Sequence, residues 1–506
     1  MYSKKVIQHF QNPRNMGKMK NPDAMGEVGN PTCLLPDEKI FLDPEFTVIK
    51  NTGKKNLIFS HDASKNKIIN KSSRDYNGKI IEIKNALGKI SLTPEHLIYA
   101  LKLPNHSKYF RTKHKQKLIP AWYHAKHLEQ RDIVLYPILK KIKDIKYIKI
   151  DIPKKKFDFK SIDIPKKIQL NSELLRLFGY FLSEGNIQDK PCKTYISFSL
   201  NIKEKDIVKD IKKISKKLFG LDVKIKEVPK NKVVIVFLYN ARLARFFKQL
   251  FGNGAEYKKI PNFIMTLPLD KQKSLIEGLW KGDGCINLNR IGPRAGYVTI
   301  SYHLAQQIKL LLIRQKIVLS MYEEKEKKVN GVNHKKAYRI HVGHRDSLKI
   351  LCKILGIKYS SKGSYKSITS WFDNDFLYTP ITKIERKDYK GKVYNLEVED
   401  KHSFLSEAFA LHNCGDIMRL YLKIKDDKII DISFETMGCV AAISTSSMIT
   451  EMAKGKTLAQ ALKISYNDVA NELGKLPPVK VHCADLAVKA LQKAIKNYGS
   501  SKTKTH

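Results

Sequence analysis

The chain has 506 residues, too many for one ordinary domain, and its hydrophobic fraction of 42% is enough for packed cores, which excludes a disordered polymer. A formal net charge of +45 favours a polyanion such as DNA or RNA as partner, although most of the bases are Lys, a composition that a plain basic surface also satisfies. No run of roughly 18 uncharged apolar residues reads as a membrane span. The Met1–Phe10 start has no apolar stretch of a secretory signal, and seven cysteines, an odd number, point to a reducing, cytoplasmic setting with free or metal-bound thiols.

In chain order, residues 1–32 read as a short helix and then a Gly/Pro/Asn-rich segment ending Gly29-Asn30-Pro31-Thr32. From Cys33 the texture changes. Short β-type runs (Lys39–Leu42, Thr47–Ile49, Lys79–Ile83, Ile90–Leu92) separated by turn residues predict an all-β unit to about residue 140. The Lys/Asp/Ile-rich stretch 141–168 reads as a linker, and 170–360 mixes helical patterns with strands. A second β-type stretch runs from about 377 to 411. After Cys414 come two strand-like runs, Ile417–Ile424 and Ile429–Phe434, then helical patterns to about residue 498 and a polar tail.

One internal repeat stands out. Leu177–Gly185, ending Ser-Glu184-Gly185, matches Ile276–Gly284, ending Gly-Asp283-Gly284. Each copy is followed by a strand-like run, Tyr195–Ser199 and Tyr297–Ser301, and then by a helical pattern, so the middle holds a duplicated half-domain of about 100 residues.

With the middle removed, residues 1–32 and 414–506 make 125 residues, the size of one compact domain. The join then reads Gly29-Asn30-Pro31-Thr32-Cys414-Gly415-Asp416, with Gly438-Cys439 and Val481-His482-Cys483 further along. This pattern resembles the NifU/IscU iron–sulfur cluster scaffolds over essentially all 125 residues. The resemblance implies an α+β fold whose Cys414, Asp416, Cys439, His482 and Cys483 surround the site of iron and of a cluster, expected as 2Fe-2S. Thiolates are the favoured ligands for such clusters, Asp416 and His482 add exchangeable oxygen and nitrogen donors, and a thiol at a helix start, as expected for Cys439, is stabilised as thiolate. The family implies a cysteine desulfurase, apo iron–sulfur proteins and, through Leu476-Pro-Pro-Val-Lys480, an Hsp70-type chaperone as partners; the bland reading of that motif is a turn before the last helix.

The interruption, 33–413, begins with Cys33 and ends His412-Asn413 before Cys414. Thr93-Pro94-Glu95-His96 lies near its start, and Val393–Leu405, containing His402, near its end. Together these resemble the boundary, TxxH and C-terminal motifs of inteins, which implies a Hint-type all-β splicing domain. The chemistry fits the residue types. Cys33 can take the Thr32 acyl group as a thioester, with Thr93 and His96 as candidate oxyanion donor and general acid, and Cys414 can receive that group in turn. Asn413 can close on its own carbonyl as a succinimide, assisted by His412 and His402. Where many members carry Asp, this chain has Asn395, which cannot act as a carboxylate base.

The repeat resembles LAGLIDADG homing endonucleases, in which two such helices pack on a pseudo-twofold axis. Gly179 and Gly278 occupy matching positions, Glu184 and Asp283 are the expected Mg²⁺ ligands for metal-assisted phosphodiester hydrolysis, and Lys258 or Lys259 is the expected basic residue. The insert holds 75 Lys+Arg against 38 Asp+Glu, a surplus that suits contact with double-stranded DNA.

The expected architecture is therefore multi-domain: a scaffold split into 1–32 and 414–506, a splicing domain split into 33–145 and 377–413, and an α/β endonuclease of two pseudo-symmetric halves at 168–370. A permanent fusion would leave the scaffold motif whole. Here the motif is broken immediately before its cysteine, and only excision restores it. Retention of Cys33, His96, Asn413 and Cys414 argues against an inert insertion.

Overall fold

The computed structural model describes residues 2–29, 32–54, 56–103, 119–155, 158, 162–190, 193–288, 292–329, 332–360, 370–412, 416–474, 476 and 481–502. Asn413, Cys414 and Pro477–Lys480 lie outside the described residues, as does the side chain of His482.

The two outer segments build one body. Strand Ala24–Gly29 pairs antiparallel with Ile417–Lys425, which pairs in turn with Lys428–Met437, giving a three-stranded sheet whose edge comes from the N-terminal segment. Period-two alternation in Ile417–Lys425 turns Met418, Leu420 and Leu422 inward, under helices Val440–Ala453 and Val481–Lys502. Gly26 lets the long helix lie directly on the edge strand, because a Cβ there would fall 2.1 Å from the Ala490 carbonyl oxygen. Helix Lys4–Gln11, capped by the Ser3 hydroxyl, docks on Val440–Ala453, where Ser444 Oγ donates 2.7 Å to the Val6 carbonyl. The apolar cluster that runs from Val6 and Ala24 to Ile495 contains no residue of 33–413. Each fully buried Leu or Ile in it contributes about 1.5–3 kcal/mol, so the outer domain has its own core while the insert is still in place.

In the insert, strands from both of its ends interleave. Lys65–Asn85 runs antiparallel to Lys383–Val398 over a long ribbon, from Lys84 opposite Lys383 to Ile68 opposite Val398. A second sheet has the order Trp371–Phe372, Phe376–Pro380, Ile133–Pro137, Leu97–Leu101, Ala410–His412, Ser403–Leu405, so that Leu97 pairs with His412. Between these, two half-domains repeat one plan. Helix Ser172–Glu184 leads into a sheet ordered Gly185–Lys190, Lys193–Asn201, Val233–Leu238, Lys224–Val228. Helix Leu269–Asp283 leads into one ordered Gly284–Asn287, Arg294–Thr299, Ala337–Val342, Ser320–Glu324. The chain as a whole is mixed α/β.

The stretch 141–168, read from its composition as a linker, packs instead. Tyr147–Lys149 pairs with Lys167–Gln169, Ile150 and Ile164 are buried, and Asp158 pairs with Arg245. Its polar texture reflects one apolar residue in every few facing the half-domain, a spacing too irregular to read as strand. The central half-domains and the flanking strands also share one apolar cluster. Glu407, at the turn between Ser403–Leu405 and Ala410–His412, takes hydrogen bonds from Tyr302 Oη (2.5 Å) and Gln306 Nε2 (2.7 Å), and its carbonyl takes one from Lys309 Nζ (2.6 Å).

Candidate functional site

At the start of the insert, Thr32 and Cys33 are both buried. The amide between them is held through its nitrogen, Cys33 N–H donating 2.9 Å to Thr93 Oγ1, and the next peptide is held too, the Cys33 carbonyl accepting 3.0 Å from Thr93 N–H. Leu34 and Tyr394 exchange two main-chain hydrogen bonds of 2.8 Å, which ties the junction to the ribbon. Asn395 is buried and its Nδ2 donates 3.4 Å to Thr32 Oγ1, so it meets the side chain of the last residue before the insert.

His96 is fully buried and, among the described residues, neither ring nitrogen has a hydrogen-bond partner. Burial, reinforced by the nearby His412 ring and opposed by the Cys33 backbone, lowers its pKa to about 3, so the imidazole is neutral at working pH. Burial likewise pushes the Cys33 thiol up to about 11, against the opposing charge of Arg74. The pairing of Leu97 with His412 is what delivers the end of the insert to its beginning. His412 packs edge-on against Trp122 at 4.8 Å, and His402 occupies a left-handed turn (φ 48°) one residue before Ser403, the strand partner of His412.

In the outer domain, Asp416, Cys439 and Cys483 converge: one ligand atom from each lies within 4.8 Å of the others. Cys483 Sγ is 3.0 Å from Asp416 Oδ2 and 3.8 Å from Cys439 Sγ, and Cys439 N–H donates 3.0 Å to Asp416 Oδ1. Cys439 is the N-cap of helix Val440–Ala453. Gly438 makes the approach possible, since a Cβ there would lie 2.4 Å from Asp416 Oδ1. The Cys439 thiol, burial and the Asp416 carboxylate together hold the Cys483 thiol well above its ordinary value. Such a crowded set of donors gains from a thiophilic cation that takes the place of the protons.

In the centre, the two repeat helices touch backbone to backbone. A Cβ on Gly278 would sit 2.2 Å from the Arg176 carbonyl oxygen, and one on Gly179 2.5 Å from that of Leu275. This contact brings Glu184 and Asp283 together at the helix ends. Burial first, then the Asp283 charge, raises Glu184 to about 7; burial also raises Asp283, opposed by Lys258. Lys258 is buried, donates 2.8 Å to the Ser183 carbonyl, and has its pKa lowered to about 8 by burial against the pull of both acids. Lys259 faces elsewhere, donating 2.8 Å to Glu45 of the flanking β region. Of the two basic candidates, then, one is at the carboxylate pair and the other spans two parts of the insert.

Two family descriptions match the chain. The NifU-like N-terminal domain matches residues 1–34 and 396–505, and the intein splicing domain matches 45–413. The iron–sulfur cluster assembly protein IscU of Plasmodium falciparum is 46% identical over 114 residues, covering 22% of this chain and 70% of that protein. The chain belongs to the NifU/IscU family, interrupted by an intein splicing domain. The scaffold protein IscU 1 of Archaeoglobus fulgidus is 59% identical over 85 residues, 17% of this chain. The chain spans 56–59% of the length of the first curated relatives it matches. Among solved structures, variants of the homing endonuclease I-DmoI are similar at 13% identity over 37% of this chain and 98% of theirs, with a TM-score of 0.29.

Several residues at the intein junction have no sequence motif. Arg74 and Tyr76 come from the middle of the ribbon, and Trp122 comes from strand Ala121–His124 beside Leu97–Leu101. Strand pairing between segments apart in the chain brings them there, so a motif search along the chain has nothing to find.

Proposed function

We propose that the chain is a precursor that excises 33–413 and joins Thr32 to Cys414, yielding a scaffold that binds iron and holds an iron–sulfur cluster for transfer to apo-proteins. The observation that carries this reading is the closure of one scaffold domain across the insert, with Gly29 opposite Ile417, while the Thr32–Cys33 amide is clamped by Thr93.

The splicing domain is read as a Hint-type β fold. Cys33 Sγ attacks the Thr32 carbonyl carbon, Thr93 orients the departing amide nitrogen, and neutral His96 takes the thiol proton and returns it to that nitrogen. Asn395 fixes Thr32 through its side-chain amide, which leaves proton transfer to the histidines. Cys414 then accepts the acyl group. Asn413 cyclises with His412 and His402 as its acid and base partners, and a sulfur-to-nitrogen shift forms the Thr32–Cys414 peptide bond.

In the spliced scaffold, Cys414 joins Asp416, Cys439, His482 and Cys483 around the iron or cluster cargo, expected as 2Fe-2S. A cysteine desulfurase supplies sulfur, and Leu476–Lys480 is the candidate chaperone segment. No helix among the described residues is long and apolar enough to cross a membrane; a cytoplasmic setting is part of this reading on its own account.

The central half-domains are read as a LAGLIDADG endonuclease acting on double-stranded DNA. Two carboxyl groups that resist ionising together, opposite one buried Lys, suit a divalent cation; Glu184 and Asp283 would hold Mg²⁺, which when bound supplies Lewis-acid activation of the phosphodiester. Lys258, with its pKa near 8, is placed to stabilise developing charge at the scissile phosphate.

Intact mass on freshly expressed chain tests the reading. Scaled by length from the 58.2 kDa precursor, a ligated product of about 14 kDa and an insert of about 44 kDa are expected. Both should vanish on Cys33→Ala with Asn413→Ala. Persistence of full-length chain alone, under reducing conditions and on warming, overturns it.

A further inference from the structure

We propose that the Arg74 guanidinium is the counter-charge of the Cys33 thiolate in the first acyl shift of splicing, a catalytic group outside the intein motifs named above. The inference rests on the splicing reading.

Sheet register places the two residues together. Arg74 pairs with Val393 across the ribbon, and Leu34 forms a bridge with Tyr394 on the other side of the same strand. Because side chains alternate, Arg74, Val393 and Cys33 lie on one face of three adjacent segments. Among the described residues, Arg74 Nε and Nη2 are buried without a hydrogen-bond partner and Arg74 forms no ion pair; its guanidinium carbon lies 5.4 Å from the Tyr76 ring centroid. A half-buried guanidinium with two enclosed, idle donors is costly unless an anion forms against it.

The obvious carboxylates are engaged elsewhere. Arg74 and Ser73 line a cavity of about 530 Å³ shared with Glu27, Arg419 and Glu435 of the scaffold, but Arg419 takes both acids, at 2.5 Å and 3.5 Å. The anion that remains is the one made by the reaction. Burial makes the Cys33 thiol hard to ionise, and Arg74 is the group that opposes this. The other titratable groups facing the junction are Tyr76 from the same strand, Glu95 and His96 from the TxxH segment, and His412 from the last strand. None of these supplies a fixed positive charge, since His96 is neutral.

The step balances without a co-reactant. The thiol loses its proton, the Sγ–carbonyl carbon bond to Thr32 forms, the Thr32 carbon–Cys33 nitrogen bond breaks, and the nitrogen takes the proton.

The test uses the full chain. Thioester formation is read as release of residues 1–32 by hydroxylamine, across pH, in an Asn413→Ala background. The C-terminal step is read as release of 414–506 in a Cys33→Ala background. Arg74→Gln should slow hydroxylamine release by about tenfold to a hundredfold at neutral pH, with the gap closing as pH rises. Arg74→Lys should recover part of the rate, and C-terminal release should be unchanged by either. An unaltered rate and pH profile in Arg74→Gln, while the unsubstituted chain still gives ligated product, overturns the proposal alone. Equal losses in both steps overturn it as well, assigning Arg74 to folding. Absence of ligated product from the unsubstituted chain removes the splicing reading itself.

Discussion

Gly29 lies against the main chain of Asp416, so close that a Cβ on Gly29 would stand 2.2 Å from the Asp416 carbonyl oxygen. The two residues belong to opposite sides of the insert, and Gly29 has φ +128°, a conformation that side chains resist. Gly29→Val should therefore destabilise the scaffold domain by about 3 kcal/mol or more. In a splicing-inert precursor (Cys33→Ala, Asn413→Ala), denaturant titration should show the scaffold transition moved and the insert transition in place. Movement of both would mean that the two cores unfold as one.

The helix pair in the centre depends on Gly179 and Gly278 in the same way. Gly278→Val would thrust atoms into the Arg176 carbonyl, at 2.2 Å from the Cβ alone, and should cost about 2–4 kcal/mol through forced separation of the helices. The carboxylates Glu184 and Asp283 would part with them. Hydrogen exchange should show protection lost in Ser172–Glu184 and Leu269–Asp283 first.

His96 predicts an acid dependence. Its pKa is lowered from 6.5 to about 3 by burial. Between those values the unfolded chain binds a proton that the folded chain refuses, so stability is full above about pH 6.5 and falls as pH drops toward 3. The loss is on the order of 4 kcal/mol. Urea midpoints of the insert between pH 7 and 4 should fall, and His96→Leu should flatten that slope. A slope unchanged by the substitution would assign the acid sensitivity to other groups.

Asp416, Cys439 and Cys483 already stand within 4.8 Å before any splicing. The splicing-inert precursor should accordingly bind Co²⁺ through thiolates, seen as a sulfur-to-metal charge-transfer band, with proton release. Cys483→Ser should weaken binding at least tenfold by removing one thiolate. Binding by the Cys439→Ala and Cys483→Ser variants as strong as that of the unsubstituted precursor would mean that the metal sits elsewhere.

Much of this was legible along the chain. Thr93 and His96 stand three residues apart, and the same short segment that carries them reaches Cys33, so the spacing survived folding intact. The glycine in each repeat copy was legible because close helix contact demands the smallest residue at that point. Lys258 and Lys259 could not be told apart, because adjacent residues differ only in which way the chain turns. One meets Ser183 and the other Glu45. The stretch 141–168 looks like a linker by composition because its few apolar residues, Ile150 and Ile164 among them, gain meaning only against the half-domain that buries them.

By itself, the sequence determined the order of the parts, the bond at which the scaffold is interrupted, and the residue types that can make and break it, since these are covalent facts. The tertiary structure decided that the scaffold's edge strand pairs across the insert, that Leu97 meets His412, and that Arg74 stands beside Cys33. Each of these is a non-local strand pairing. Its register is set by which faces the whole molecule can bury together, and that balance is struck only when distant segments meet.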